Sequence, residues 1–258
     1  VIPANLFLLG IRMRTFMKLP LQDRCCPGSN CSVELDLYGA HLLACPLTGR
    51  KIQRCLPLEK AWVQCASEAG ARARHNVRAG SVGVPGVAPD DGRRLDGVIS
   101  GLNIFGGQRI IIDATIRAVL TGAGLAAHGA DRRAGATFSV ARSDKERVYT
   151  EFHGTDACKF LTLACETGGR WSDESVALVR ALVSARVEKC PVAALRNSVR
   201  STYSRRFWGL LSVAAVKGIT QSIEGFVEAD ESGAFCVKPT MEEVLAGAED
   251  VPDVSRLA

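Results

Sequence analysis

The stretch Arg109-Ile-Ile-Ile-Asp113-Ala-Thr115 gives the clearest indication of the fold. Its three consecutive β-branched apolar residues leave no polar face, which is typical of a strand buried on both sides near the middle of a sheet. A similar stretch, Arg94-Leu-Asp96-Gly-Val-Ile99, precedes it, and the intervening residues 101–107 are few enough for a hairpin. The sequence therefore predicts two neighbouring strands that each carry an aspartate.

Apolar periodicity predicts further elements on either side of this pair. Helices are predicted over Leu58–Val77, Ser139–Tyr149, Ser175–Val187 and Val199–Ile219, and one more strand over Phe160–Cys165. The glycine-rich residues 118–136 are predicted to be a mobile connection. The opening segment, through Pro20, mixes apolar and basic residues as an amphipathic helix that ends at a proline would.

Size and composition indicate one main domain with attachments. The chain has 258 residues, of which 47% are apolar and 23% charged, as in an ordinary globular protein. No apolar run approaches the roughly 18 residues of a membrane span, so a soluble protein with no membrane partner is expected. Six of the ten cysteines lie between Cys25 and Cys65. Clustered thiols favour metal binding in a reducing compartment over disulfides.

Part of this cluster has the spacing of a metal site, Cys26-x4-Cys31-x9-His41-x3-Cys45. Three thiolates and one imidazole form a complete tetrahedral ligand set for Zn²⁺, and four protein ligands make the ion structural because no position remains for water. Residues 21–57 are therefore predicted to form a small zinc knuckle. The spacing leaves open whether Cys25 replaces Cys26, and the later thiols Cys55 and Cys65 could also substitute.

Charge is distributed unevenly along the chain. From Gln221 onward there are nine acidic residues against two basic ones, a balance of −7, whereas the remainder has 30 basic and 18 acidic residues, or +12. A basic body with an acidic tail predicts a polyanionic partner, with the tail either disordered or competing for the same surface. An ordinary solvated surface is the alternative interpretation. The acidic segment 223–258 is predicted to be a weakly ordered tail.

The two strand aspartates, Asp96 and Asp113, are candidate ligands for a catalytic cation. Hydrolysis of a phosphodiester needs a cation that activates water and neutralises the charge on the reacting oxygens, and carboxylates are the ligands that Mg²⁺ prefers. Lys145, placed at the start of a helix, is a candidate to orient the water or stabilise the oxyanion. Glu166 could add a carboxylate or cap the turn that follows it. Turn or capping roles are the alternative for the aspartates as well.

A basic segment precedes these strands. His75 lies among Arg72, Arg74 and Arg78 on the predicted helix, where the group could contact phosphates. A surface histidine on a basic helix is an equally good interpretation.

Taken in order, these motifs resemble the carboxyl-end region of site-specific non-LTR retrotransposon proteins, in which a Cys/His knuckle precedes a restriction-like endonuclease of the PD-(D/E)XK type. The resemblance covers roughly Phe7 to Ile219. Its most specific part is the order Cys-Cys-Leu-Asp-x-Tyr-Gly-x-His-x-x-x-Cys, present here as Cys26, Cys31, Leu35 to His41 and Cys45.

Shorter motifs extend the resemblance through the rest of the domain. Arg74-His75 resembles the family's Arg-His pair, Arg93 to Asp96 its Arg-Pro-x-Asp strand, and Asp113 to Thr115 its Asp-x-Thr strand. Lys145 to Tyr149 resembles its Lys-x-x-Lys-Tyr helix, and Glu166 to Gly169 its Glu-Thr-x-Gly strand. The sequence departs from the pattern in the first strand, which lacks the family's proline before Asp96, and at Val148, where the family has a second lysine. Thr115 stands where the simplest PD-(D/E)XK pattern has lysine.

The resemblance implies an α/β core, with a mixed sheet flanked by helices, over residues 58–222. It implies that Asp96 and Asp113 bind Mg²⁺, assisted by Lys145 and Glu166, and nick target DNA in the nucleus. The freed 3′-hydroxyl would prime reverse transcription by an upstream polymerase domain, of which residues 1–20 would be the end, with the element's RNA as a second partner. Contacts to DNA are expected from Arg74, His75, Arg94 and Tyr149. The alternative is a catalytically decayed, zinc-containing module that only binds nucleic acid.

Overall fold

The computed structural model describes residues 2–15, 17–19, 21 and 25–226 of the chain. Its α-helices are α1 (Ala4–Arg14), α2 (Ala40–Ala44), α3 (Arg50–Glu68), α4 (Ala136–Val148), α5 (Thr150–His153), α6 (Asp173–Glu188) and α7 (Arg196–Ile223). Its strands are β1 (Arg72–Arg78), β2 (Arg94–Ser100), β3 (Arg109–Arg117) and β4 (Cys158–Glu166). The acidic tail predicted from residue 223 lies, from residue 227 onward, outside the described residues.

The described residues divide into two compact units. The first contains those up to Arg54, the segment Leu120–Ala126 and those from Val216 onward; the second contains Cys55–Val119 and Ala127–Ala215. Across all described residues, no helix combines the length and apolar character that a bilayer crossing requires.

The second unit contains a four-stranded mixed sheet in the order β1-β2-β3-β4. Strands β1 and β2, and likewise β2 and β3, pair antiparallel, whereas β3 and β4 pair parallel. The predicted hairpin and the predicted mixed α/β class are therefore confirmed. Ile110, Ile111 and Ile112 of β3 are at most 1% exposed, as expected for the interior strand.

Helix α3 corrects the prediction of a helix over Leu58–Val77, because it begins at Arg50 and ends at Glu68. Gly70, with φ of +90°, follows the helix, and the amides of Gly70 and Ala71 donate to the carbonyls of Ser67 and Ala66. This is the Schellman arrangement, which terminates a helix at a left-handed glycine. The basic segment that follows is strand β1, not helix, so its neighbouring side chains alternate between the two faces of the sheet.

Two apolar groups stabilise this unit. The fully buried residues of α3 follow helical spacing: Leu58, Trp62, Cys65 and Ala66, with Ala69 just after the helix. A second cluster joins residues of all four strands with Tyr149 and Phe152 near α5. Burial of each large side chain stabilises the fold by about 1.5–3 kcal/mol. Helix α4 packs on β3 and β4, which places its side chains above the predicted aspartate strand.

Side chains occupy the free edge of the sheet at β4. The amide of Thr162 donates to a carboxylate oxygen of Glu174 at 3.0 Å, and the amide of Ala164 donates to the hydroxyl of Ser172 at 3.2 Å. The Ser172 hydroxyl also caps α6 by accepting from the amide of Ser175. The start of α6 thereby supplies partners to backbone groups of the edge strand.

The first unit contains α1, α2 and two short 3-10 helices, Pro46–Thr48 and Glu224–Phe226. Helix α1 ends at Arg14, earlier than the predicted end at Pro20, which lies outside the described residues. The segment Leu120–Ala126, part of the predicted mobile connection, folds back on itself: Leu120 and Ala126 form a β-bridge, and the amide of Thr121 donates to the carbonyl of Leu125 at 2.7 Å.

Candidate functional site

The first unit brings Cys26, Cys31, His41 and Cys45 together, with all four ligand atoms within 4.8 Å of one another. The Sγ atom of Cys45 lies 3.8 Å from that of Cys26 and 3.9 Å from that of Cys31, and Cys31 Sγ lies 3.4 Å from His41 Nε2. A tetrahedral ion about 2.3 Å from each sulfur would give sulfur–sulfur edges of about 3.8 Å. The cluster could therefore hold a metal such as zinc.

The structure also distinguishes among the candidate thiols. Cys26 is buried in the cluster, whereas Cys25 is exposed and is not part of it. Cys65 is buried within the apolar stripe of α3, and Cys55 is likewise outside the cluster. The alternatives left open by the spacing are thus resolved in favour of Cys26, Cys31 and Cys45.

Neighbouring groups fix the orientation of His41. The carboxylate of Asp36 accepts hydrogen bonds from the amides of Tyr38, Ala40 and His41 at 2.8 to 3.0 Å and so caps the short helix α2. His41 Nδ1 lies 3.2 Å from the carbonyl oxygen of Gly122. Since only a protonated Nδ1 can donate to that carbonyl, Nε2 keeps its lone pair for a metal ion.

Two thiols of the cluster differ in acidity. Burial raises the pKa of Cys26 to about 11, whereas a hydrogen bond from the backbone of Val33 is the main cause that lowers the pKa of Cys31 to about 7. Metal ligands must be deprotonated, so at neutral pH the binding of a metal ion releases the proton of Cys26.

The second unit brings the two strand aspartates together. Gly97 pairs with Ile112 in the antiparallel β2–β3 register. Asp96 and Asp113 are the next residues along the two strands, so they lie opposite each other. Asp96 Oδ2 accepts a hydrogen bond of 2.7 Å from the amide of Ala114, the residue that follows Asp113. The carboxylate of Asp96 therefore reaches across to β3 at the position of Asp113, which is 3% exposed.

This pair is strongly perturbed. Burial, and then the negative charges of Asp113 and Glu59, raise the pKa of Asp96 to about 8. Burial also raises the pKa of Asp113, against the opposing positive charges of Lys145 and Arg117. Carboxyl groups that resist ionisation in this way mark a site where a cation is favourable.

Lys145 lies in the last turn of α4, not at the start of a helix as predicted, because α4 begins at Ala136. Its Nζ atom is 2.9 Å from Asp113 Oδ1, and its side chain remains 28% exposed. The ammonium group is therefore held against the carboxylate pair while keeping access to solvent.

Glu166 lies apart from the pair. In the β3–β4 register Asp113 is opposite Thr162 and Arg117 is opposite Glu166, so four residues, on the order of 13 Å, separate the two acidic positions. Glu166 is buried, accepts a hydrogen bond of 2.8 Å from the hydroxyl of Thr137, and lies 3.7 Å from Arg170. It does not complete the aspartate site.

Glu59 of α3 is a site residue that the sequence prediction missed. Its carboxylate lies 3.0 Å from His75 Nε2 and contributes negative charge at Asp96. His75 is thus paired with Glu59, and in the β1–β2 register it is opposite Gly97, the residue that follows Asp96. The only sequence signal for Glu59 is its place beside Leu58 at the border of the apolar stripe, which does not reveal what lies opposite it.

The residues expected to contact DNA have different surroundings. Arg74 is exposed and lines a shallow basic cleft of about 620 Å³ together with Arg72 and Arg109. Arg94 is exposed and donates to the carbonyl of Asn76 at 3.1 Å. Tyr149 is only 7% exposed and donates to the carbonyl of Arg94 at 3.0 Å, so its position is that of a packing residue beneath the site.

Comparison with known proteins identifies no relative: the sequence matches no family model, and no curated protein is significantly similar to it.

Proposed function

We propose that this protein is a divalent-metal-dependent DNA endonuclease. The observation that carries the proposal is the pair formed by the partly buried Asp96 and the buried Asp113, with the ammonium group of Lys145 against Asp113. Two carboxylates on adjoining strands, with a lysine of α4 against them, form the constellation that metal-assisted phosphodiester hydrolysis needs.

The residues fit Mg²⁺ at this position. Burial, and then the negative charges of Asp113 and Glu59, raise the pKa of Asp96, and Lys145 is the cation that opposes this charge. Oxygen ligands suit Mg²⁺, whereas the thiolates and imidazole of the Cys/His cluster suit Zn²⁺. We therefore infer a catalytic Mg²⁺ held by Asp96 and Asp113 and a structural Zn²⁺ held by Cys26, Cys31, His41 and Cys45.

The chain's own residues have distinct roles in this proposal. Mg²⁺ would supply charge neutralisation and an activated water at the scissile phosphate. Asp96 and Asp113 hold the site in position through β2 and β3. The Lys145 ammonium group donates a hydrogen bond to the negative oxygen that develops on the phosphate. Glu59, whose negative charge acts on Asp96, also contacts His75 and fixes the position of its ring.

The resemblance to non-LTR retrotransposon proteins supports a more specific proposal. In it, the nick primes reverse transcription, an upstream polymerase domain and the element's RNA are partners, and the protein acts in the nucleus. The basic body of the chain, at +12 without the segment from Gln221, is consistent with binding to DNA.

The experiment is a nicking assay on supercoiled plasmid DNA with added Mg²⁺. We expect the wild-type protein to nick, and Asp96→Asn and Asp113→Asn to lose at least about a hundredfold in rate, because each removes a charge from the ion's site. Asp90→Asn is the matched control, since Asp90 is an exposed aspartate in a loop. Nicking by the Asp96 and Asp113 variants at the wild-type rate would contradict the proposal.

One observation favours a second candidate, a nucleic-acid-binding module without catalysis. Val148 is 48% exposed at the position where the resembling family has its second lysine, so an apolar side chain replaces a cation beside the site. A module of this kind would not nick under any metal condition, but its affinity for DNA would fall steeply with salt because phosphate contacts release counterions. Absence of nicking together with a flat salt response would exclude both candidates.

A further inference from the structure

A cleft of about 560 Å³ opens between α4 and the start of α6. Its lining includes Arg133, Arg142 and Arg170, the aromatic rings of Phe138 and Trp171, and Thr162 at β4. This volume is typical of a site for a small ligand and holds one nucleotide, but it does not hold a duplex. The combination of guanidinium groups with aromatic rings is the one that nucleic-acid-binding sites use for phosphates and bases.

The cleft adjoins the aspartate site. Thr162 is directly opposite Asp113 in the parallel β3–β4 register, so the two side chains share one face of the sheet about 5 Å apart. On α4, Arg142 of the cleft is three residues before Lys145, which contacts Asp113. Residues three apart on a helix lie on the same side. A ligand in the cleft is therefore next to the proposed catalytic carboxylates.

Thr162 has an unusual environment for a hydroxyl group. It is 3% exposed, and within the described part of the chain its Oγ1 atom has no hydrogen-bond partner. Leaving a buried hydroxyl unpaired costs about 1–3 kcal/mol, so native structures rarely do so without a reason. A ligand seated in the cleft would supply the missing partner.

The charges of the cleft are only partly compensated. Arg142 lies 2.9 Å from Glu174, and Arg170 lies 3.7 Å from Glu166 with half of its side chain exposed. Arg133 is exposed. Asp173 is the other acidic residue of the lining, and a carboxylate there can accept a hydrogen bond from the exocyclic amino group of a base.

We propose that this cleft binds one unstacked nucleotide of the DNA strand, with the phosphate at Arg133 and Arg170 and the base against Phe138 and Trp171. The choice of DNA rests on the proposed endonuclease function. The nucleotide lies beside the scissile position because Thr162 is opposite Asp113, and the strand locally leaves the duplex to enter the cleft.

The test measures binding, separately from cleavage. Fluorescence anisotropy follows a labelled single-stranded octanucleotide, and a second octamer of identical length made only of abasic sites, without added divalent cations. Arg133→Glu is compared with Arg132→Glu, because Arg132 is adjacent, 89% exposed and not part of the cleft. We expect Arg133→Glu to weaken binding of both octamers at least about tenfold, and Arg132→Glu to weaken it less than about threefold.

Two further variants separate the base from the phosphate and binding from folding. Phe138→Ala should weaken binding of the normal octamer about 5- to 30-fold and leave the abasic octamer unchanged, since only a base stacks. Thr162→Val removes the unpaired hydroxyl at nearly constant volume. We expect it to keep or raise the melting temperature while it weakens binding of the normal octamer about 3- to 10-fold.

Equal losses in the Arg132 and Arg133 variants would overturn the proposal, because they would indicate general charge attraction. So would equal losses of both octamers in Phe138→Ala, or wild-type affinity in Thr162→Val. If the wild-type protein binds as expected but does not nick, only the endonuclease function fails. If it nicks while Arg133→Glu and Phe138→Ala bind and nick like Arg132→Glu, only the nucleotide site fails.

Discussion

Replacing Asp96 with asparagine is expected to stabilise the metal-free protein at alkaline pH. In the folded protein the pKa of Asp96 is about 8, against 3.8 for an ordinary aspartate, because the group is buried near Asp113 and Glu59. A carboxyl group with a raised folded pKa favours folding fully below the unfolded pKa, and this contribution is lost as pH rises through the folded pKa. The wild-type protein should therefore lose stability between about pH 4 and pH 8 relative to the variant.

The magnitude follows from the size of the shift. Each pKa unit corresponds to about 1.4 kcal/mol. Because pH 7 is about three units above the pKa of the unfolded state, ionisation of Asp96 on unfolding favours the unfolded state by at most about 4 kcal/mol. Asparagine cannot ionise and can still accept the hydrogen bond from Ala114. The two hydrogens of its side-chain amide need acceptors, which reduces the gain in stability. We expect a net gain of about 2–3 kcal/mol at pH 7 to 8, or roughly 5–10 °C in melting temperature.

Thermal unfolding followed by circular dichroism, at several pH values and without chelators that would strip the Cys/His cluster, measures this difference. Asp90→Asn is the matched control and should show no pH-dependent gain. A gap between Asp96→Asn and wild type that stays constant from pH 5 to pH 8, or a variant that is less stable at pH 8, would refute the electrostatic account of the site.

Three further predictions use other parts of the structure. Mg²⁺ at a hundredfold excess over its dissociation constant should add about 2.7 kcal/mol to the free energy of unfolding of the wild-type protein and so raise its melting temperature. It should leave the melting temperature of Asp96→Asn unchanged, and no shift in either protein would contradict an ion at this site. Gly122→Ala places a Cβ atom 2.8 Å from His41 Nδ1 and should weaken zinc binding about 10- to 100-fold in competition with a chromogenic chelator, whereas Gly154→Ala should not. Gly70 has φ of +90°, and a Cβ atom there would lie against Lys189, so Gly70→Ala should lower the free energy of unfolding in urea by about 1–2 kcal/mol. The control is Gly168→Ala, where a Cβ atom meets no neighbour, and equal stability of the two variants would exclude a left-handed residue at the end of α3.

Local patterns in the sequence predicted the centre of the fold well. The run Ile110 to Ile112 indicated an interior strand because a strand with apolar residues on both faces has only one suitable place in a sheet. The Cys/His spacing predicted the metal cluster for a similar reason, since ligands separated by only three to nine residues can reach one ion through local turns. In both cases the information lies within a few neighbouring residues.

Other features of the fold and the site depend on contacts between residues far apart in the sequence, and these were not predicted correctly. The end of α3 was placed nine residues too late because the arginine-rich segment was assigned to the helix, although Gly70 marks the stop. Glu59 was missed because its relation to Asp96 depends on how α3 packs on the sheet, and no local pattern encodes this. The same holds for Thr162, whose importance depends on the β3–β4 register.

The side chains that accept hydrogen bonds from the outer edge of β4 affect how this protein behaves at high concentration. A bare outer strand presents a ladder of donors on which another polypeptide can add as a further strand. Here Glu174 and Ser172 already occupy the donors of Thr162 and Ala164, so an incoming chain would first have to displace them. Acidification that protonates Glu174 weakens its hydrogen bond with the amide of Thr162. Self-association into extended aggregates at low pH should therefore begin at the outer edge of β4.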